Sequence, residues 1–341
     1  MKKIQLLLLI IIVKSFISCF VNAQDIHFSQ FFSSPLYTNS ANTGNFEGDF
    51  RGVVNNKNQW NTFTNAYTTI AGSFDVGFNN LFIPGSRSGV GVQVFNDVAG
   101  DGKLGTTQFC VDLAYYFPFG EQKKVLLGVG IMSGYIMHNI NFNNFSFGNQ
   151  YTGEQFNPLL PIGEEWMYDK CNYFDLGTGL NLLYKPKKEL VIQTGFSISH
   201  LNEPIKSFYN NADSYLPKKY SLVVSAEYNI KDDLWIEPNF LAMFQSKYTE
   251  YDIGAMLRFD YNPVSLQSIY FGTFMRTADA GIVVFGFKYH NARILINYDI
   301  NLSKLTSISR GKGGVEFSLI YIFMKTKPFD SPYYRKCPDF I

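Results

Sequence analysis

The chain is predicted to fold as an all-β protein, a transmembrane antiparallel β-barrel of about 14 strands, with a periplasmic N-terminal segment and a C-terminal tail. Three observations predict it. Apolar and polar residues alternate through about fourteen segments separated by turn signals, and no apolar run is long enough for a membrane helix. Aromatic residues make up 17% of the 341 residues, whereas the net charge is only +1; excess Phe and Tyr suits the girdles at two membrane interfaces. Lipid offers no water to unpaired N–H and C=O groups, so a chain without membrane helices must cross as a closed sheet.

The elements follow in order. Lys2 and Lys3 precede an apolar stretch over residues 4–13, and Val21-Asn22-Ala23 offers small residues to signal peptidase, so residues 1–23 read as a signal peptide and the mature chain begins at Gln24. Cys19 raises a lipoprotein alternative, against which Phe16 is a poor residue three places before a lipidated cysteine. Residues 24–48 are polar and aromatic but too irregular to span lipid; they lie in the periplasm or plug the barrel. Strands are expected over residues 49–58, 68–78, 88–96, 105–117, 124–137, 172–185, 189–201, 218–230, 233–246, 250–259, 266–275, 280–289, 292–302 and 313–323, giving a barrel over 49–323 and a periplasmic tail over 324–341. The tail is basic through Lys325, Lys327, Arg335 and Lys336.

Three segments alternate most clearly. In the second strand, Ile70, Gly72, Phe74, Val76 and Phe78 share one face against Thr69, Ala71, Ser73, Asp75 and Gly77. The fourth sets Phe109, Val111, Leu113, Tyr115 and Phe117 against Gln108, Cys110, Asp112, Ala114 and Tyr116. The eighth sets Leu222, Val224, Ala226 and Tyr228 against Ser221, Ser225, Glu227 and Asn229. The first strand is diluted by Asn55, Asn56 and Asn58, and the ninth is interrupted by Pro238. An even count returns both ends to the periplasm, with long connections outside, notably 138–171 and 202–217, and short ones inside.

Composition narrows function. Near-zero net charge argues against nucleic acid as a partner, and membrane lipid is the expected surround. Cys110, Cys171 and Cys337 are odd in number and wide apart, which supports neither a disulfide framework nor zinc spacing. The four histidines are His27, His138, His200 and His290; His138 and His200 fall near the outer rim and are expected to be solvated there. No compact motif accompanies them, so catalytic, cofactor-binding and metal-ligating residues are expected to be absent and the protein is not read as an enzyme.

Inward positions carry mixed charge: Asp75, Asp112, Asp175, Glu227, Asp252, Arg258, Arg276, Arg293 and Asp299. These either salt-bridge the filling of a medium barrel or shape the field of a porin. Inward Gly89, Gly91, Gly128, Gly130, Gly177 and Gly179 either make room for an inserted segment or permit sheet curvature.

The block after the leader runs Gln24-Asp25-Ile26-His27-Phe28-Ser29-Gln30-Phe31-Phe32, followed by Pro35, Leu36, Asn39, Ala41 and Gly44. It resembles the opening of the PorP/SprF family of type IX secretion outer-membrane proteins of Bacteroidetes, a Gln-Asp-x-x-Phe-Ser-Gln-Tyr pattern with an Asn-Pro-Ala-x-x-Gly turn. Arg51 with Asn58-Gln59-Trp60 resembles the family's Tyr-Arg-x-Gln-Trp element, and Arg276 with Asp279 and Ala280 its Arg-x-x-Asp-Ala step. Tyr298, Asp299, Ser303, Leu305, Gly313 and Glu316 are similar to its last hairpin, and Cys337-Pro338-Asp339-Phe340 to its Cys-Pro-x-Phe ending. Ser40 replaces the turn's proline, Phe31 the tyrosine, and residues 55–58 loosen the Tyr-Arg element.

The resemblance implies a non-enzymatic protein of the cell outer membrane. Its partners would be type IX secretion core components and a secreted adhesin-type client with a type B C-terminal sorting domain, in some cases serving gliding motility. On this reading the N-terminal block and the tail form one periplasmic docking surface, and loop 138–171 meets the client. A diffusion porin or hydrophobic-solute transporter is the alternative.

Overall fold

Period-two alternation has the consequence expected of it. In the computed structural model, which describes residues 25, 27–59, 67–100, 102–120, 124–161, 163, 168–209, 213–261, 265–303 and 306–324, fourteen antiparallel strands form one closed barrel. They are β1 (Phe50–Gln59), β2 (Tyr67–Asn79), β3 (Arg87–Ala99), β4 (Leu104–Phe119), β5 (Val125–Asn139), β6 (Lys170–Lys187), β7 (Leu190–Ser199), β8 (Lys219–Lys231), β9 (Leu234–Gln245), β10 (Tyr248–Asp260), β11 (Leu266–Arg276), β12 (Ala280–Tyr289), β13 (Ala292–Asn301) and β14 (Lys312–Phe323). Each strand pairs with its sequence neighbours, and β14 pairs with β1 from Phe50↔Phe323 to Gln59↔Gly314. Closure leaves no unpaired edge, the condition for crossing lipid. Every expected strand is present, with boundaries within three residues. The segment expected to be a signal peptide, Gln24, Trp60 and residues 325–341 lie outside the described residues.

The two faces separate as the alternation requires. Phe74 and Val111 are 48% and 50% exposed, as lipid-facing groups are outside a bilayer, while neighbouring Asp75 and Asp112 are at 0%. The two irregular strands have physical causes. The inward face of β1 is polar because Arg51, Asn55 and Lys57 are buried against interior partners: Asn55 donates to Ser318 Oγ at 2.6 Å. The β8–β9 ladder omits the pairs around Pro238, between Ser225↔Asn239 and Tyr228↔Ile236, since proline has no N–H to give.

Barrels of this size enclose a lumen that wall side chains alone do not fill. Here the N-terminal segment occupies it. The strand connections divide between a near end, where β1 starts and β14 finishes, and a far end carrying the long connections 140–169 and 200–218. Asp25 sits at the far end beside Lys219 and Gln245, and the chain then descends the lumen to Gly48, which packs on Ile322 and Phe323 at the near end. Three single turns, Phe31–Ser33, Pro35–Thr38 and Ser40–Asn42, compact the descent. Of the two placements left open for residues 24–48, the described residues 25 and 27–48 take the second, a plug, because their polar groups find partners on the inner wall and their rings find an apolar patch there. Phe31 joins Leu241, Met256, Phe274, Ile282, Val284 and Leu295 in a buried cluster inside the barrel.

Candidate functional site

The plug is seated in three places. At the first, Ser29 and Gln30 donate their backbone N–H groups to the two carboxylate oxygens of Glu316 on β14, at 2.8 and 3.0 Å. The Ser29 hydroxyl donates to Asp299 Oδ2 at 2.6 Å and accepts from Arg276 Nη2 at 2.8 Å. Gln30 donates its amide to Asn297 at 2.5 Å, and Lys57 of β1 donates to the His27 carbonyl at 3.1 Å. Arg276 is 1% exposed and lies 3.2 Å from Asp252, 3.1 Å from Asp279, 3.5 Å from Glu250 and 3.6 Å from Asp299. A guanidinium buried this deeply requires such a set of carboxylates, because removing an unpaired charge from water is prohibitively costly.

The second seat is the turn Asn39-Ser40-Ala41-Asn42-Thr43-Gly44. Asn39 caps it, its Oδ1 accepting from Ala41 N at 2.8 Å, while its Nδ2 donates to the wall carbonyl of Leu180 at 2.9 Å. Residue 40 is the first of a 3-10 turn, a position where proline's missing N–H is harmless, which explains how the serine and the family's proline are interchangeable. Ala41 is fully buried against Gly130; a Cβ at residue 130 would stand 2.5 Å from Ala41 Cα. Gly44 has φ of +72° and lies against Gly89, with its N–H on Asp75 Oδ2 at 2.8 Å. Arg51 holds the same carboxylate through two nitrogens, at 2.9 and 2.7 Å, and reaches the Asn42 carbonyl. Asn181 and Gln193 both donate to Asn42 Oδ1, Tyr116 donates to the Ala41 carbonyl, and Arg87 donates to the carbonyls of Gly44 and Phe46.

Of the two readings of the inward glycines, the inserted segment holds for Gly89, Gly91, Gly130 and Gly179, each of which meets plug atoms. Gly128 and Gly177 instead make room for Tyr116 and Met132 of the wall. Several of the inward charges are paired inside the barrel, as in Arg276–Asp252 and Arg258–Glu237, while Asp112 accepts from the Gln93 amide.

The third seat corrects the expectation for two histidines. His200 and His138 are not solvated at the rim; both are buried. His200, at φ +59° in the β7–β8 connection, places Nε2 2.7 Å from Asp25 Oδ2 and Nδ1 2.9 Å from Asp175 Oδ2. Burial alone would lower its pKa, but Asp25 and Asp175 outweigh burial and raise it to about 9. Burial likewise would raise the Asp25 carboxyl, yet Lys219 at 2.9 Å and His200 hold it well below the usual carboxylate range. His27 stays uncharged through burial and the nearby cations Arg276, Lys57 and Lys219, so its 3.5 Å approach to Glu250 is not an ion pair. His138 lies between the hydroxyls of Thr106 and Tyr173, at 2.9 and 3.0 Å.

Between the upper plug and the wall lies a cavity of about 360 Å³ that reaches from Asp25 and His200 down to Ser40. A second space, of about 420 Å³, shares Asp25, His27, Tyr67 and Asp97 with it and opens among Gln59, Thr249, Thr277 and Asp279 at the far end. Among the described residues, no group of three or more His, Cys, Asp or Glu side chains is arranged to hold a metal.

The described motif residues fall at several places in the barrel. Ser29, Gln30, Arg276 and Asp279 meet at one seat; Asp25 anchors another; Phe28 packs edge-on against Phe95 and Tyr37. Arg51 serves the glycine-seated turn, apart from Arg276, and Gln59 lines the far-end space. Gln24, Trp60, Cys337, Pro338 and Phe340 lie outside the described residues. Sequence reasoning missed Lys57, Asn181, Tyr116, Asp175 and His200 as plug partners. The available signal was polar residues at inward positions, such as Asn55 and Lys57 of β1.

The family model for the type IX secretion system membrane protein PorP/SprF matches residues 20–321. No curated protein matches the chain in sequence. Among solved structures, the Ralstonia pickettii toluene transporter TbuX is similar over 85% of this chain and 92% of its own, with a TM-score of 0.51 at 10% identity. The P. putida toluene transporter TodX covers 86% and 95%, with a TM-score of 0.48 at 12% identity. The likeness to TbuX is one of fold, an outer-membrane barrel.

Proposed function

Because the chain belongs to the PorP/SprF family of type IX secretion system membrane proteins and lies in the outer membrane, we propose that it acts as a non-enzymatic partner that holds a secreted surface protein at the cell surface. The client would be of adhesin type with a type B C-terminal sorting domain, and in a gliding cell it would serve motility. The observation carrying this reading is the plug: a lumen filled by residues 25–48 and fastened to both the first and last strands suits a platform better than a conduit. Long loops of outer-membrane barrels face outward, so the far end is taken as the cell surface. There Tyr151, Phe156, Leu159, Tyr168, Ile205 and Tyr215 are exposed, Leu159 at 91%, and loop 140–169 is tied to loop 200–218 by Tyr168 N–H donating to the Phe208 carbonyl. Exposed apolar groups on two loops joined in this way support an interaction surface.

With most of the N-terminal block buried in the lumen, docking of secretion core components is assigned in this proposal to the basic tail over 324–341. An affinity pull-down from native outer membranes, followed by mass spectrometry, tests the whole. Recovery of a large surface protein with a C-terminal sorting domain, lost when residues 145–161 are replaced by a short Gly/Ser linker, supports the reading. Recovery of no such partner, together with single-channel conductance from the pure protein, would replace it with the porin or solute-transporter reading. Deletion of 324–341 without loss of client secretion would remove the docking role of the tail.

A further inference from the structure

We propose that the far-end space of about 420 Å³ is a socket for one cationic side chain, a lysine or arginine, presented by the client. The identity of the occupant rests on the client-holding reading; the socket itself does not. Asp97, two residues short of the end of β3, carries the argument. It is 5% exposed, lines both spaces of the upper lumen, and accepts a single hydrogen bond, from the Thr69 hydroxyl to Oδ1 at 2.6 Å. Among the described residues nothing bonds to Oδ2, and no cationic side chain forms an ion pair with the carboxylate. Unlike Asp175 Oδ1, that oxygen is not sealed from solvent, so it faces the space rather than the packed wall.

Neighbouring carboxylates do have cations. Asp25 has Lys219 and His200, and Asp175 shares His200. Glu250 and Asp279, which line the same space, share the single guanidinium of Arg276 with Asp252 and Asp299. Lys57 lines it too, but its ammonium is engaged with the plug, donating to the His27 carbonyl at 3.1 Å and the Ser29 hydroxyl at 3.3 Å. The space is therefore short of positive charge, and a carboxylate taken this far out of water without a cation is costly. Asp112 also lacks a cation, but it is at 0% exposure, takes the Gln93 amide and lines neither space, so it belongs to the wall.

The form of the cation follows from depth. The space opens among Gln59, Thr249 and Thr277, and two residues of strand put Asp97 about 7 Å below the end of β3. A lysine or arginine stem spans that depth while its backbone stays outside. Tyr67, 37% exposed on the same wall, offers a ring to the arriving charge. The socket also adjoins the exposed apolar loops: the β3–β4 connection just above Asp97 holds loop 140–169 through the Asn141 N–H on the Gly102 carbonyl at 2.9 Å.

Asp97→Asn is the test, because the amide keeps the shape and the Thr69 hydrogen bond while removing the charge. In the pull-down from native outer membranes, the variant should recover the large surface client at about one tenth of the wild-type yield or less, the effect of removing one partner of a desolvated charge pair. Its Tm should be unchanged or higher, since no protein group loses an ion pair. With the full detergent-solubilised chain, the probes are N-acetyl-lysine methylamide and N-acetyl-norleucine methylamide, which share a stem and differ in the ammonium. Calorimetric titration should show wild type preferring the lysine probe about tenfold at low ionic strength, and Asp97→Asn treating the two alike. Full client recovery by Asp97→Asn, no preference between the probes, or a variant that melts earlier would overturn the proposal. Wild-type protein that prefers the lysine probe yet recovers no client would strike the client-holding reading and the occupant named here, which separates the two failures.

Discussion

Replacing Gly130 by alanine asks whether the plug is truly seated by the wall. The added Cβ would stand 2.5 Å from Ala41 Cα and from the Ser40 carbonyl carbon, both backbone atoms with no rotamer to yield. Ordinary contact begins near 3.4 Å, so the turn must retreat by about 1 Å. Overpacking of that kind costs about 1–3 kcal/mol. The retreat also strains the bonds that converge on the turn, from Tyr116 to Ala41, from Asn181 and Gln193 to Asn42, and from Asn39 to Leu180, each worth about 1 kcal/mol. The wall ladders are untouched, so the barrel should still form and migrate as a folded species on unheated SDS gels. The expected outcome is a lower Tm, faster proteolysis within residues 25–48 and the appearance of conductance in planar bilayers. Gly52→Ala is the control, since a Cβ there meets nothing within 4 Å. A Gly130→Ala protein indistinguishable from wild type in all three readouts would refute the seating argument.

Other expectations follow from the same contacts. Arg276→Ala strands Asp252, Asp299 and the Ser29 hydroxyl and should cost about 3–5 kcal/mol, read as a large fall in thermal stability in detergent. His200 is raised from 6.5 to about 9, so its stabilising contribution is complete below pH 6.5 and is lost as pH rises through 9. Protection of the plug from protease should decline across that window and become flat in His200→Gln. Asp25 is held well below its ordinary 3.8, so its contribution is present above that value and disappears only as pH falls through its lower folded value; Asp25→Asn should remove this acid limb of the same protection curve. Arg51→Lys loses the two-nitrogen grip on Asp75 and should cost about 1–3 kcal/mol by the same melt, a loss that would be absent if the ammonium replaced the guanidinium fully.

The wall was legible in the sequence because each strand's signal is local: alternation, bounded by turns, is decided within about ten residues. Even the weak first strand carried information, for Asn55, one of the three asparagines that dilute its apolar pattern, lies on the same inward face as Lys57, which meets the plug. The interior was less legible. That His200 meets Asp25 depends on two positions 175 residues apart in sequence, and no periodicity reports such a pairing. His138 and His200 were expected in water because their strand ends lie near a rim; tall connections and a plug that reaches the far end keep water away instead. The inward glycines named the space, and only the fold decided which of them the plug fills.

The first seat has a bearing on how the barrel closes. β1 and β14 form the one ladder whose strands lie at opposite ends of the sequence, so its closure carries the largest loop entropy of any pairing in the molecule. Ser29 and Gln30 grip Glu316 of β14 while Lys57 of β1, close by in sequence, grips Ser29 and His27. A plug already gathered onto β1 therefore presents the last strand with a docking template beside its partner. The segment that fills the finished lumen is in this sense also a clasp that shortens the search for the seam.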